Sequence, residues 1–213
     1  MISRPVRGLI TLALVGAAIA PVVAQDPRIG NRLDAPSRTA ITALVDSARA
    51  QGLPVAPLME KVDEGMAKGA DGPRIVAAVR SLALEMASAH RALGTVASVD
   101  EIKAAAYAMH AGVPAVELGK LKQQSGLRRS LSLPFTVLAD IISRGVPVRT
   151  AANAIRSLVG AGAKDKDISD FRRNVKVDIE QGAPPAAAAE TRARGAGKPD
   201  KPDKPDQNGQ VDR

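Results

Sequence analysis

Along this chain apolar residues return every three or four positions, and the runs are cut apart by a repeated triplet of glycine, an apolar residue and proline. Ile41, Leu44, Val45 and Ala48 form one run, Val55, Leu58, Met59, Val62 and Met66 a second, and Ile75, Val76, Val79, Leu82, Met86 and Leu93 a long third. The pattern continues through Val99, Ile102, Ala105, Ala106 and Met109, a short Val116, Leu118, Leu121 segment, and Val137, Leu138, Ile141 and Ile142. Val148, Ala151, Ala152, Ile155, Leu158 and Val159 come next, and Ile168, Phe171, Val175 and Ile179 close it. Such spacing gathers the apolar side chains on one face of an α-helix. No stretch alternates as a half-buried strand would, so the fold class predicted is all-α.

The triplets say how the helices connect. Gly52-Leu53-Pro54, Gly112-Val113-Pro114 and Gly145-Val146-Pro147 share one form, and Gly182-Ala183-Pro184 is a weaker copy. Glycine enters the left-handed conformation that ends a helix, the apolar residue folds back on that helix, and proline suits the first turn of the next. Each triplet therefore predicts an αα-hairpin, and stacked hairpins give a short α-solenoid-like array or a compact bundle. The interval from Gly52 to Pro73 is 21 positions and that from Gly112 to Pro134 is 22. With Ser98-Val99-Asp100-Glu101 as a capping box, this suggests two degenerate units, about 36–95 and 98–160, and a closing helix at 166–181.

The ends of the chain read differently. Arg4 and Arg7 precede an apolar run from Gly8 to Ala20, and Pro21-Val22-Val23-Ala24 stands before Gln25. That order is expected of a secretory signal peptide cleaved after Ala24, placing the mature chain in the periplasm or outside the cell. Its apolar run falls short of the roughly 20 residues a membrane-spanning helix requires, so no transmembrane span is expected after cleavage. Residues 25–35 read as a short linker and 36–182 as the helical domain. From 183 to 213 come prolines, an alanine run and Lys198-Pro199-Asp200 repeated to Asp206, expected to be a disordered, solvated tail.

Composition removes several function classes. The chain has no cysteine, which excludes disulfides, thiolate catalysis and cysteine zinc sites. Its only aromatic residues are Tyr107, Phe135 and Phe171, too few for the platforms that grip sugars or unstacked bases. Alanine and the medium aliphatics must fill the interior, which favours close helix packing. A helix-turn-helix reading suits short hairpins with positive charge, but export argues against nucleic acid as a partner.

No catalytic or metal set emerges. His90 and His110 are isolated, without the HExxH spacing of a zinc helix, and neither GxSxG nor SxxK occurs. Glu60 and Glu64 lie one turn apart among Lys61 and Lys68, the pattern of a solvated face. Asp165, Asp167 and Asp170 resemble the opening of a calcium loop, yet its sixth position is Asp170 and its twelfth Lys176, where glycine and glutamate are required. Helix capping accounts for them better. Gly160-Ala161-Gly162 has neither the third glycine nor the preceding strand of a dinucleotide loop. No cofactor is expected.

Charge supplies the one lead. The formal balance is +8, and Gly119 to Gly160 holds Lys120, Lys122, Arg128, Arg129, Arg144, Arg149 and Arg156 against Asp140 alone. These seven are the candidate binding residues, forming a basic surface for an anionic envelope component or an acidic protein face. The expectation is an exported, non-catalytic helical interaction module or scaffold. An unrecognised envelope hydrolase or transferase, and a helical carrier of a lipid-like ligand, are the alternatives.

Overall fold

A computed structural model describes residues 33–126 and 129–195. Among the described residues the chain is all-helical, with nine helices and no strand. They are α1 (Ala35–Ala50), α2 (Ala56–Ala67), α3 (Gly72–Leu93), α4 (Val99–His110), α5 (Ala115–Ser125), α6 (Ser132–Ser143), α7 (Val148–Gly160), α8 (Asp165–Glu180) and α9 (Pro185–Gly195). The segment 1–24 expected to be a signal peptide, most of the expected linker 25–35, Leu127, Arg128 and residues 196–213 lie outside the described residues.

Six helices end in the same way. Gly52, Gly69, Gly112, Gly145, Gly162 and Gly182 all have φ between +67 and +100°, a conformation that costs any residue with a Cβ. In each turn the following residue donates its N–H back to the carbonyl five positions earlier, as Leu53 does to Ala48, Val113 to Ala108 and Val146 to Ile141, at 2.9–3.1 Å. This is the Schellman turn, which satisfies carbonyls that a helix end leaves bare. The apolar residue after the glycine tucks inward: Leu53, Val113, Val146 and Ala163 are buried. The prolines stand one step earlier than the sequence suggests. Pro114 and Pro147 are the N-cap residues of α5 and α7, with ψ of 141 and 138°, because proline's fixed φ fits an extended residue as readily as the first helical turn.

The hairpins stack in two layers. α1, α3, α5, α7 and α9 lie side by side, each packed on the next in that series, while α6 packs between α4 and α8 in the other layer. α4, α6 and α8 begin at residues 99, 132 and 165, a step of 33. The structural period is thus a single hairpin, finer than the sixty-residue unit. Equivalent side chains one step apart fill equivalent places: Ile102, Phe135 and Ile168 are buried, as are Ala105, Leu138 and Phe171. Alanines pack where helices approach most closely, Ala105, Ala106 and Ala108 being fully buried in α4. Two residues placed in apolar runs face outward instead, Val99 at 51% and Val116 at 61% exposure.

The expected tail is corrected over its first part. Pro185–Gly195 forms α9, since proline is tolerated where a helix begins and the following alanines have the highest helix propensity. Ala188 and Ala189 are buried, and the Arg192 guanidinium donates to both oxygens of Asp178 in α8 at 2.7 and 2.6 Å. The Lys-Pro-Asp repeat that predicts disorder begins only at Lys198, beyond the end of α9.

The turn geometry is open to a direct test. Gly145→Ala should lose about 1–2 kcal/mol, because φ of +92° is retained by the surrounding packing. Urea unfolding measures it, with Gly195→Ala, at the end of α9 and without a positive φ, expected to change little.

Candidate functional site

Of the seven basic residues read from the sequence, Arg128 lies outside the described residues and the other six separate into two groups. Lys122 is interior: its side chain is only 11% exposed and its ammonium lies 2.9 Å from Oε1 of Glu101, itself 5% exposed. Oε1 also accepts the Leu131 N–H at 2.9 Å, and Oε2 the Ser98 N–H at 3.0 Å. Glu101 is the N3 residue of the Ser98 capping box, so one carboxylate caps α4, holds α5 and anchors the entry to α6. Lys122 belongs to the frame of the fold and not to a binding surface. Charge counted along a window missed this because Glu101 lies outside it.

Arg144 is likewise engaged. Its Nε and Nη2 donate to Oδ2 and Oδ1 of Asp140 at 3.1 and 3.2 Å, and Arg172 of α8 donates to the same Oδ2 at 2.8 Å. Burial raises the Asp140 carboxyl, but the hydrogen bonds from Arg172 and Arg144 outweigh it and leave it below its ordinary value. Arg129, 22% exposed, stands 3.9 Å from Asp165 at the start of α8. Arg172 and Arg129 reach between neighbouring hairpins, whereas Arg144 pairs within the end of α6.

Lys120, Arg149 and Arg156 remain on the outside. Lys120 is exposed and 2.8 Å from Oε1 of Glu117, while Arg156 reaches Oε2 of the same carboxylate at 3.3 Å. The Lys120 hydrogen bond and the two positive charges hold the Glu117 carboxyl below its usual range. Arg156 also donates to Asn153 at 2.8 Å. Arg149 is exposed on the same stripe of α7, since residues four and seven apart share a helix face. α3 adds an exposed arginine, Arg91, outside the window and therefore absent from the sequence reading.

Between α3 and α5 runs an open groove of about 550 Å³. Arg91 and Lys120 rim it, Ser88 and Gln123 supply polar atoms, and its floor is Ala92, Ala115 and Gly119. A Cβ on Gly119 would come within 3.3 Å of the Ala92 carbonyl oxygen, so the two backbones meet closely there. A second groove, about 330 Å³, lies between α7 and α9 and is lined by Thr150, Asn153, Ser157, Glu190 and Arg194, with two alanines.

The other sequence motifs have structural roles. Glu64 is drawn down to about 2 by hydrogen bonds from Lys61 and Lys68, and Glu60 pairs instead with Lys103 of α4. Exposed His110 places Nδ1 3.0 Å from Glu85 Oε1. Asp167 accepts the Lys164 N–H at 2.7 Å, closing the start of α8, and Asp170 pairs with Lys166 and Arg173. Gly160-Ala161-Gly162 is the end of α7 and its Schellman turn. No helix among the described residues is long and apolar enough to cross a membrane.

Fold and face together define an all-α hairpin array with a cationic side. Comparison with protein-family models, with curated proteins and with solved structures finds no match to this chain.

The Glu101 network gives a stability prediction with a defined sign. Burial pushes its carboxyl up, and hydrogen bonds from Leu131, Lys122 and Ser98 pull it further down, to below the ordinary 4.5. A carboxyl lowered on folding stabilises fully above its unfolded pKa and loses that contribution as pH falls through the folded value. Glu101→Ala leaves Lys122 buried without its counter-charge and should lose about 3–5 kcal/mol at neutral pH. The deficit should shrink as pH drops below about 5, which chemical denaturation at a series of pH values measures.

Proposed function

We propose that this chain is exported and serves as a non-catalytic helical interaction module of the bacterial cell envelope, meeting an anionic partner through a basic face. The observation that carries the reading is the row of outward cations on successive helices of one layer: Arg91 on α3, Lys120 on α5, and Arg149 and Arg156 on α7. Adjacent helices of a stacked layer sit about 10 Å apart, comparable to the screening length in physiological salt. Their fields therefore add across the face. Glu117 offsets part of that charge while holding Lys120 and Arg156 in place. Export rests on the residues before Gln25, which have the charged, apolar and small-residue order of a signal peptide.

Two measurements test this. The chain beginning at Gln25 should bind phosphatidylglycerol vesicles or immobilised polyglutamate at about 20 mM salt and weaken at about 150 mM. Joint replacement of Lys120, Arg149 and Arg156 by glutamine should lower binding about tenfold. Indifference of the unaltered chain to both anionic surfaces would refute the basic-face reading. When the full chain is produced in a Gram-negative host, the periplasmic form should start at Gln25 on N-terminal sequencing, and an intact cytosolic form would refute export.

A further inference from the structure

We propose that the groove between α3 and α5 is a peptide-binding site, whose occupant is an extended segment carrying an apolar residue and, about three residues away, a carboxylate. This rests on the reading of the layer as a binding face and names its partner. The groove is polarised along its length. α3 and α5 run in the same direction, since the one helix between them in sequence, α4, returns the chain in the other layer, and Gly119 meets the Ala92 carbonyl across the groove. Val116, 61% exposed, lies at the entry of α5, and Leu84, 67% exposed, sits one turn before Ser88 on the matching face of α3. Arg91 and Lys120 follow further along the two helices, with Gln123 beyond. One end is thus apolar and the other cationic.

The dimensions suit a peptide strand. Seven residues separate Leu84 from Arg91, about 10 Å along a helix, which an extended chain covers in about three residues. α5, eleven residues long, offers about 16 Å, enough for about five. Exposed large apolar side chains are few; Val116 lines this groove and Leu84 lies one turn beyond its Ser88 end, and apolar surface beside a concavity favours contact with a partner. Among the described residues the lining holds two cations and no carboxylate; Glu117 beside it is shared between Lys120 and Arg156, so the local balance is positive and complementarity selects negative charge. Ser88 and Gln123 provide a hydroxyl and an amide for main-chain N–H and C=O groups. A bilayer would rest on helix crests, whereas the floor of Ala92, Ala115 and Gly119 is recessed between them. The carboxylate comes either from a side chain or from a chain terminus.

The test selects binders from a random octapeptide library with the chain from Gln25, which contains every described helix. Selected peptides are then measured by fluorescence anisotropy as free acids and as C-terminal amides. Enrichment of an apolar residue with Asp or Glu two to four positions away is expected, or, for terminus binders, loss of binding on amidation. Affinity should fall at least tenfold in Arg91→Glu with Lys120→Glu, and similarly in Leu84→Ser with Val116→Ser. All four side chains are on the surface, and an unchanged helical circular dichroism spectrum checks the fold. The proposal is overturned by a library without binders, by binders lacking both signatures, or by peptides that bind the two double variants as well as the original. Binding to phosphatidylglycerol vesicles with no peptide binding would overturn the groove while leaving the basic face standing.

Discussion

Everything in this fold depends on reversing the chain cheaply between short helices, and the left-handed glycine is what makes that possible. A helix of eleven or twelve residues is marginal alone, so each of these must bury its stripe against a partner within a few residues. The Schellman turn supplies that return while satisfying the bare carbonyls, and the buried residue after each glycine adds an apolar anchor at the corner. Where α4 to α8 follow the step of 33 residues, the same side-chain positions meet layer after layer. The basic face is a consequence: the regular return puts α3, α5, α7 and α9 side by side, with their outer residues in register.

Ion pairs act on a second scale, between hairpins. Glu60 meets Lys103, Glu117 meets Arg156, and Asp140 meets Arg172, each pair joining two helices of one layer, as Asp178 and Arg192 join α8 to α9. Most are exposed and contribute little individually. Glu101 with Lys122 is different because both are buried. At the equivalent place 33 residues on, Lys122 is replaced by Ile155, fully buried. A buried pair is seldom more stabilising than such an apolar contact. What it adds is direction, since three donors converge on one carboxylate and set where α6 must begin.

Helix class and hairpin connection were legible because they are local: periodicity and the glycine triplets act within a few residues. The capping box at Ser98 and Glu101 was legible for the same reason. The repeat length was not read, because the loop from α5 to α6 contains no glycine triplet, although Gly112-Val113-Pro114 and Gly145-Val146-Pro147 already stand 33 residues apart, the step that separates Val99, Ser132 and Asp165. α9 was hidden by its neighbours in sequence, proline before it and Lys-Pro-Asp after it. The basic window misled for Lys122 and Arg129, whose acidic partners Glu101 and Asp165 lie outside it, while Arg144 pairs with Asp140, the one acid inside it. Arg91 stood outside the window although space puts it beside Lys120.

The ends of the array decide where a partner can approach. A stacked structure with apolar termini would continue by adding copies, whereas polar terminal elements stop it. Here the exposed large apolar residues among the described positions are Leu84, Val96, Val99, Tyr107, Val116 and Val177, none of them on α1 or α9. The terminal helices turn their alanines inward and leave charge outward, Arg49 on α1 and Arg194 on α9 both being exposed. Growth at either end would bury those charges without gain. The groove proposed as a binding site lies instead on the side of the layer, where Val116 is uncovered and Arg91 stands at the rim beside Lys120, itself held by Glu117.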